Sequence, residues 1–332
     1  MVSINAASAR TSRRAIVSGS ILALFASRTQ AAQEPVNSIA YSLPIGLRGQ
    51  IPGDGFIIRH GYTCENSWYN PGGWHTGEDW YLIEGDSAGA EVYAVADGNV
   101  VFSDSNYPGR VVIVRHTDDL FSMYGHLDPA LDVQDGDDVV RGQRLGTVLN
   151  RTDGFAPSHL HFEMRTFLTT PKVNGDAPQY AFSCVLNCPP GPGYWPIDAP
   201  ELPSDMGWRN PTHTLFHRMF TERRPTPESE LVVPSTVSGT FDLWSAPTDH
   251  ADAVKIGSVP LRPGDRLRWI SVATGPEASV QTSAEGYRLW VRIDPRLGKR
   301  GWMQAAVAST NDTGTDGRPS SIWFNLLPVL PE

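Results

Sequence analysis

Between Tyr41 and Phe167 short apolar runs alternate with turn signals. "AEVYAVADGNVVFSD" reads as strand, Asp-Gly turn, strand. "GRVVIVRHTDDLFSMYGHL" reads as a strand pair joined at Asp118 and Asp119, and "DVVRGQRLGTVL" follows a further Asp-Gly turn. No helical stripe with a 3.6-residue period appears in this region, so the pattern predicts antiparallel strands. The 31 glycines and 27 prolines favour a turn-rich, strand-rich protein over a helical bundle.

The periodicity fails from about 168 to 207. "SCVLNCPPGPGYWPIDAPELPSDMG" reads as a long Pro/Gly-rich insertion, a kind of loop that is usually functional or mobile. "GWRNPTHTLFHRMF" (207–220) reads as a return to the first domain, with a last strand near 208–216. Residues 221–235 read as a linker. From Thr236 onward, "FDLWSAP", "KIGSVPLRPGDRLRWISV", "YRLWVRI" and "RGWMQAAV" are again short apolar-aromatic runs broken by Gly, Pro and Asp. The expected class is therefore all-β. An antiparallel β-sheet domain over 41–220 precedes a small β-barrel over 236–332, and 332 residues suffice for both.

The first thirty residues differ in character. Arg10, Arg13 and Arg14 precede "AIVSGSILALFAS", an apolar run too short to span a bilayer, and small residues suited to cleavage follow near Ala31 and Ala32. "SRRAIV" resembles a twin-arginine export signal. Residues 1–31 are thus expected to be a signal peptide that sends the chain to the periplasm or outside the cell. No cysteine follows the apolar run, so neither a lipid anchor there nor stable membrane insertion after cleavage is expected. Without its four arginines the chain carries a net charge of about −13, against −9 for the whole sequence, and this argues against nucleic acid as a partner. An exported chain can form disulfides, and Cys184 and Cys188 could close a small loop that leaves Cys64 odd. No feature of the sequence sets an oligomeric state.

Five residues carry the chemistry. "GGWHTGEDW" places His75 and Asp79 four positions apart in a turn-rich stretch. "MYGHL" puts His126 at a strand end. In "SHLHFEMR", His159 and His161 lie two apart, on one face of a strand. Each alone reads as an ordinary surface or turn polar. Together they supply what a catalytic zinc site needs: three protein ligands and an open position for water. Two imidazoles and one carboxylate leave the ion a net positive charge, which lowers the pKa of its water toward ~7. Two histidines remain to move protons or to hold an oxyanion.

The motifs "HTGED", "YGHL" and "HLHFE", in that order and with "AVADGNVV" after the first, resemble the lysostaphin- and LytM-type zinc metallopeptidases, which cleave peptidoglycan cross-bridges. The resemblance covers roughly residues 41–167. It implies one zinc per chain held by His75, Asp79 and His161, with His126 and His159 as catalytic histidines. It also implies hydrolysis of peptidoglycan peptide bonds by a metal-activated water. The stretch from "VPLRPGDRLRWISV" to "RGWMQAAV" resembles bacterial SH3-like domains, in which Trp244, Trp269, Trp290 and Trp302 would be core or would line a peptide groove. Two rivals remain open: a non-catalytic regulator of another wall hydrolase, and a secreted zinc peptidase that acts on proteins. "VQDGDDVVRGQRLG" is similar to the hairpin of biotinyl and lipoyl carrier domains, but no lysine precedes Lys172, so a carrier role fails. Glu163 shares a face with His161 and is read either as a support for the ligand or as a salt-bridge partner of Arg165. Tyr124 reads as a core aromatic or a lining of the cleft, Trp74 and Trp80 as packing residues or walls of the site, and His60, His116, His213, His217 and His250 as surface or packing residues.

Overall fold

The computed structural model describes residues 41–66, 70–106, 108–116, 119–154, 156–169, 191, 193–221, 230–247, 251–274, 289–294, 300–308 and 321–329. The expected signal peptide, Asp118, Cys184, Cys188, His250 and most of the 168–207 insertion lie outside the described residues. No helix of the described residues is long and apolar enough to cross a membrane.

Among the described residues the architecture is β, with one helix, Pro211–Thr221. A continuous antiparallel path runs through Asp138–Val139, Gly98–Asp104, Arg110–Arg115, Phe121–Leu127, Leu160–Arg165, Glu78–Leu82 and Phe56–Ile58. It then passes into the C-terminal strands through the single pair Ile58↔Ile322. From Ile322–Phe324 the path continues through Gly301–Ala308, Leu289–Asp294, Arg266–Thr274 and Glu230–Val232 to Leu327–Val329. Among the described residues these strands form an open path without barrel closure. Trp269 and Trp290 are buried, as core aromatics are.

Leu160–Arg165 is the central strand for function. All six of its residues are buried, as expected where both faces are covered. Its neighbours set the register: His161 lies opposite Gly125 on one side and Asp79 on the other. A Cβ on Gly125 would lie 3.3 Å from the His161 Cβ, so glycine there makes room for the histidine.

Three local findings differ from the sequence expectation. The Asp97-Gly98 turn does not join a hairpin. Glu91–Tyr93 pairs instead with Ile45–Gly46 and Arg144–Thr147 in a separate sheet, and buried Ala94, Val95 and Ala96 lead from one sheet to the other. Asp97 is used as a clamp: its carboxylate accepts from Arg141 N at 2.7 Å and its carbonyl from His116 Nδ1 at 2.8 Å.

The last strand near 208–216 shrinks to Trp208–Arg209, which pairs with Arg165 and Met164. A helix follows because Asn210 and Pro211 are well suited to start one. The Asn210 side chain accepts from His213 N at 3.0 Å, and Pro occupies the first helical position. Buried Glu78 completes the cap by accepting from Thr212 N at 2.9 Å.

The insertion is not all loop. Tyr194–Pro196 forms a strand on Asn70–His75, with Tyr194 opposite His75 and Trp195 opposite Trp74.

Candidate functional site

The site forms where three strand ends meet. His75 closes Asn70–His75, Asp79 lies in Glu78–Leu82, and His161 lies in Leu160–Arg165. The turn between the first two passes very close to the third. A Cβ on Gly77 would fall 2.5 Å from the Phe162 carbonyl oxygen and 3.1 Å from His161 Cε1, so only glycine fits there. The loop after Phe56–Ile58 holds the backbones of the other two. Arg59 N and Asp79 N exchange bonds with Asp79 O and His60 O at 2.9 and 3.0 Å, and Thr63 N donates to His75 O at 2.8 Å.

The side chains converge as the motifs predict. His75 Nε2 lies 3.0 Å from His161 Nδ1, His161 Nδ1 lies 3.0 Å from Asp79 Oδ1, and His75 Nε2 lies 3.3 Å from Asp79 Oδ1. These three residues form a group whose donor atoms all fall within 4.8 Å of one another, and all three are buried. Their outer atoms are already engaged. His75 Nδ1–H donates to Gly61 O at 3.3 Å, and His161 Nε2–H donates to Glu163 Oε1 at 3.1 Å. Neutral imidazoles so bonded turn a lone pair inward. Three acceptors therefore face one another in a buried space, an arrangement that calls for positive charge between them. His161 registers this demand: burial lowers its pKa, but bonds to Asp79 and Glu163 outweigh burial and raise it to about 9. Burial likewise opposes ionisation of Asp79, yet His75, His159 and His161 hold its pKa well below the usual carboxylate value.

The donor set fits zinc. Ligands about 2.05 Å from a tetrahedral ion lie roughly 3.3 Å from one another, close to the observed triangle. A hydrogen-bonded carboxylate behind a ligating histidine is the usual support of such sites. Glu163 fulfils both readings offered for it. Oε1 accepts from His161 and from Thr76 Oγ1 at 2.6 Å, while Oε2 accepts from Trp208 Nε1 at 3.0 Å and lies 3.5 Å from Arg165 Nη1. These bonds hold its pKa down at about 2 despite complete burial, which alone would raise it.

His126 and His159 stand beside the triangle. Their rings lie 4.7 Å apart at 72°, and His159 Nε2 is 3.8 Å from Asp79 Oδ1. Each donates through Nδ1 to a proline carbonyl: His126 to Pro108 O at 3.0 Å and His159 to Pro157 O at 2.8 Å. Each neutral ring therefore carries its lone pair on Nε2. Burial first, then the neighbouring imidazoles His159 and His161, keeps the pKa of His126 well below its ordinary value. Burial also lowers that of His159 against the opposing pull of Asp79. His126 has φ +61, an uncommon conformation for a non-glycine residue and one found at functional sites.

His116, Tyr124 and Trp80 are structural. His116 bridges Asp97 O and Ser122 Oγ, Tyr124 is buried with Val95 N donating to its hydroxyl, and Trp80 stacks on Phe324. Motif spacing did not reveal the walls of the site. Tyr81 stacks on His159 with centroids 4.7 Å apart, and Tyr194 lies 5.1 Å from His75. Tyr81 had a signal, since it sits two residues after Asp79 in the same strand and so on the same face. Tyr194 had none, because it arrives from a Pro/Gly-rich stretch.

Comparison with known proteins gives the family of part of the chain. The profile of Peptidase family M23 matches residues 74–176. The chain is similar to the murein hydrolase activator NlpD of Escherichia coli strain K12, at 36% identity over 81 residues, 24% of this chain and 21% of that one. It thus spans about a fifth of that relative's length. It is also similar to the lipoprotein NlpD of Yersinia enterocolitica, at 35% identity over 81 residues, which cover 24% of this chain and 80% of the relative. Among solved structures, lysostaphin from Staphylococcus simulans aligns over 83% of this chain and 96% of its own, at 18% identity and a TM-score of 0.33. By the matched profile and by a relative covered over most of its length, the chain belongs to peptidase family M23.

Proposed function

We propose that the chain is an exported zinc-dependent endopeptidase that hydrolyses peptide bonds of peptidoglycan cross-links. The observation that carries this reading is the buried triangle of His75 Nε2, Asp79 Oδ1 and His161 Nδ1 beside two neutral histidines. These three atoms would hold the ion. Zinc, when bound, supplies a Lewis acid for the scissile carbonyl and lowers the pKa of water toward ~7. The rest is done by the protein. Gly61 O and Glu163 fix the orientation of the two imidazole ligands. His126 and His159, each with a lone pair on Nε2, accept a proton from the attacking water and return it to the leaving amine. Once protonated, either ring stabilises the negative charge that develops on the carbonyl oxygen. Removing one such group costs on the order of 10²-fold in rate, about 3 kcal/mol.

Export is supported by the arginine-rich leader and by the relative named a lipoprotein. Residues 236–332 act, in this reading, as an SH3-like module that holds the enzyme on the wall. The similarity to the Escherichia coli murein hydrolase activator favours a second reading, in which this chain regulates another hydrolase. The complete donor triangle favours the enzyme, since binding a partner does not call for a buried three-ligand cluster. Digestion of purified peptidoglycan by residues 32–332, beside His75→Ala, separates the two. Cross-bridge fragments by mass spectrometry that vanish with His75→Ala are expected. Intact peptidoglycan from a zinc-loaded protein would overturn the endopeptidase reading.

A further inference from the structure

Four side chains touch in a row that ends at the solvent. His126 meets His159 at 4.7 Å, His159 meets the Tyr81 ring at 4.7 Å and 22°, and Arg59 Cζ lies 5.4 Å from the Tyr81 centroid. The row is anchored at its outer end, because Arg59 N donates to Asp79 O at 2.9 Å. Arg59 is exposed, and among the described residues it has no ion-pair partner. This sets it apart from Arg151, the other arginine whose charge acts on Tyr81, whose side chain is largely buried and paired with Asp153 at 2.8 Å. The remaining groups that act on Tyr81 are Asp79, held within the histidine cluster, and the Tyr194 phenol. Arg59 is thus an uncommitted guanidinium beside the reaction centre of a protein with net charge −9.

We infer that Arg59 is a specificity residue that docks a carboxylate of the bound peptide, so that stems with free acids are preferred over amidated ones. The inference rests on the peptidase reading for where the peptide lies. Tyr81 holds the guanidinium over its ring by a cation–π contact and leaves the donor fork free, and that fork matches a carboxylate in bidentate fashion. The steps of 4.7 Å from His159 to Tyr81 and 5.4 Å from Tyr81 to Arg59 Cζ span at most about 10 Å, and an extended peptide advances about 3.3–3.6 Å per residue, so the docked acid sits within about three residues of the group held at His159. In an acidic protein, one local cation offsets the repulsion that an anionic peptide meets on approach.

The test is calorimetric binding of a stem tetrapeptide with free carboxylates and of the same peptide with those groups converted to carboxamides. Wild type is expected to bind the acid about ten-fold more tightly, and the preference should shrink as salt rises because Arg59 is exposed. Arg59→Gln should reduce the preference to less than about two-fold. Arg59→Lys, which keeps charge without the fork, should fall between. Equal or undetectable binding of both peptides by wild type overturns the inference, as does a preference that survives Arg59→Gln. Peptidoglycan digestion by the same wild-type protein reads the other question separately. Discrimination without cleavage keeps Arg59 in this role and rejects the endopeptidase, whereas cleavage without discrimination does the reverse.

Discussion

Glu163→Gln tests how the site is held together. The glutamate lies behind His161, accepts its Nε2–H at 3.1 Å, and is held by Thr76 at 2.6 Å and Trp208 at 3.0 Å. A glutamine has nearly the same shape, but its oxygen is neutral and its nitrogen donates. Either it turns its oxygen to His161 and sets its NH2 against the Trp208 indole, a donor against a donor, or it does the reverse and fails to accept from His161. In both cases the tautomer that turns Nδ1 inward is less favoured. Loss of such a supporting carboxylate costs 10–100-fold in metal affinity, or about 1.4–2.8 kcal/mol. The same change leaves buried Arg165, whose Nη1 is 3.5 Å from Glu163 Oε2, without its counter-charge, and a broken buried pair costs about 3–5 kcal/mol of stability. Thr76→Val serves as the milder variant, because it removes one bond to Oε1 and keeps the charge. Zinc affinity is read by competition with a chromophoric chelator, at a temperature where circular dichroism shows both variants folded. The expected order is wild type, then Thr76→Val, then Glu163→Gln at least ten-fold weaker. Glu163→Gln that binds zinc within two-fold of wild type would show that His161 needs no carboxylate behind it, and the reasoning would fail.

Other perturbations read different parts of the structure. His75→Ala removes one of the three donors and should weaken zinc binding by at least about 10²-fold in the same competition assay, with peptidoglycan digestion abolished. Zinc at about one hundred times its Kd should stabilise the wild type by ~2.7 kcal/mol, seen as a rise in Tm that EDTA reverses and that His75→Ala lacks. Phe324→Ala removes a buried ring stacked between Trp80 and Phe216, at 5.4 and 6.0 Å, and should cost about 3–5 kcal/mol. Residues 41–220 should then melt earlier together with the C-terminal strands in calorimetry; a separate transition left in place would refute the coupling. Asn210→Ala removes the cap on His213 N and should cost about 1 kcal/mol, measured by urea unfolding.

The strands and the five histidine-motif residues were legible because short-range rules govern them. Alternation placed His159 and His161 on one face, and Asp-Gly and Asp-Asp turns marked strand ends. What was illegible depends on partners distant in sequence. Asp97-Gly98 looks like a hairpin turn until Arg115 O is placed, since a Cβ on Gly98 would lie 2.4 Å from it. This glycine serves close packing and not a tight turn. Asn210-Pro211 carried a helix start in plain sight, in a stretch that otherwise read as a last strand. The join between the two strand sets includes the pair Ile58↔Ile322 and the Trp80–Phe324 stack, neither of which leaves a local trace.

Backbone strain links these two kinds of information. Apart from Ser105 and Asp119, the non-glycine residues with positive φ among the described residues are His60, Thr63 and His126. All three border the site: His60 O accepts from Asp79 N, Thr63 N donates to His75 O, and His126 is one of the two flanking histidines. Such conformations cost on the order of 1–3 kcal/mol each and persist only where surrounding contacts over-determine them. Here the surrounding contacts are the backbone bonds that place Asp79 and His75. A loop free to relax would turn His60 O away from Asp79 N and open the triangle. The strained 60–63 segment and the buried donor cluster are therefore coupled: the backbone bonds that hold His60 and Thr63 in these conformations are the ones that place Asp79 and His75.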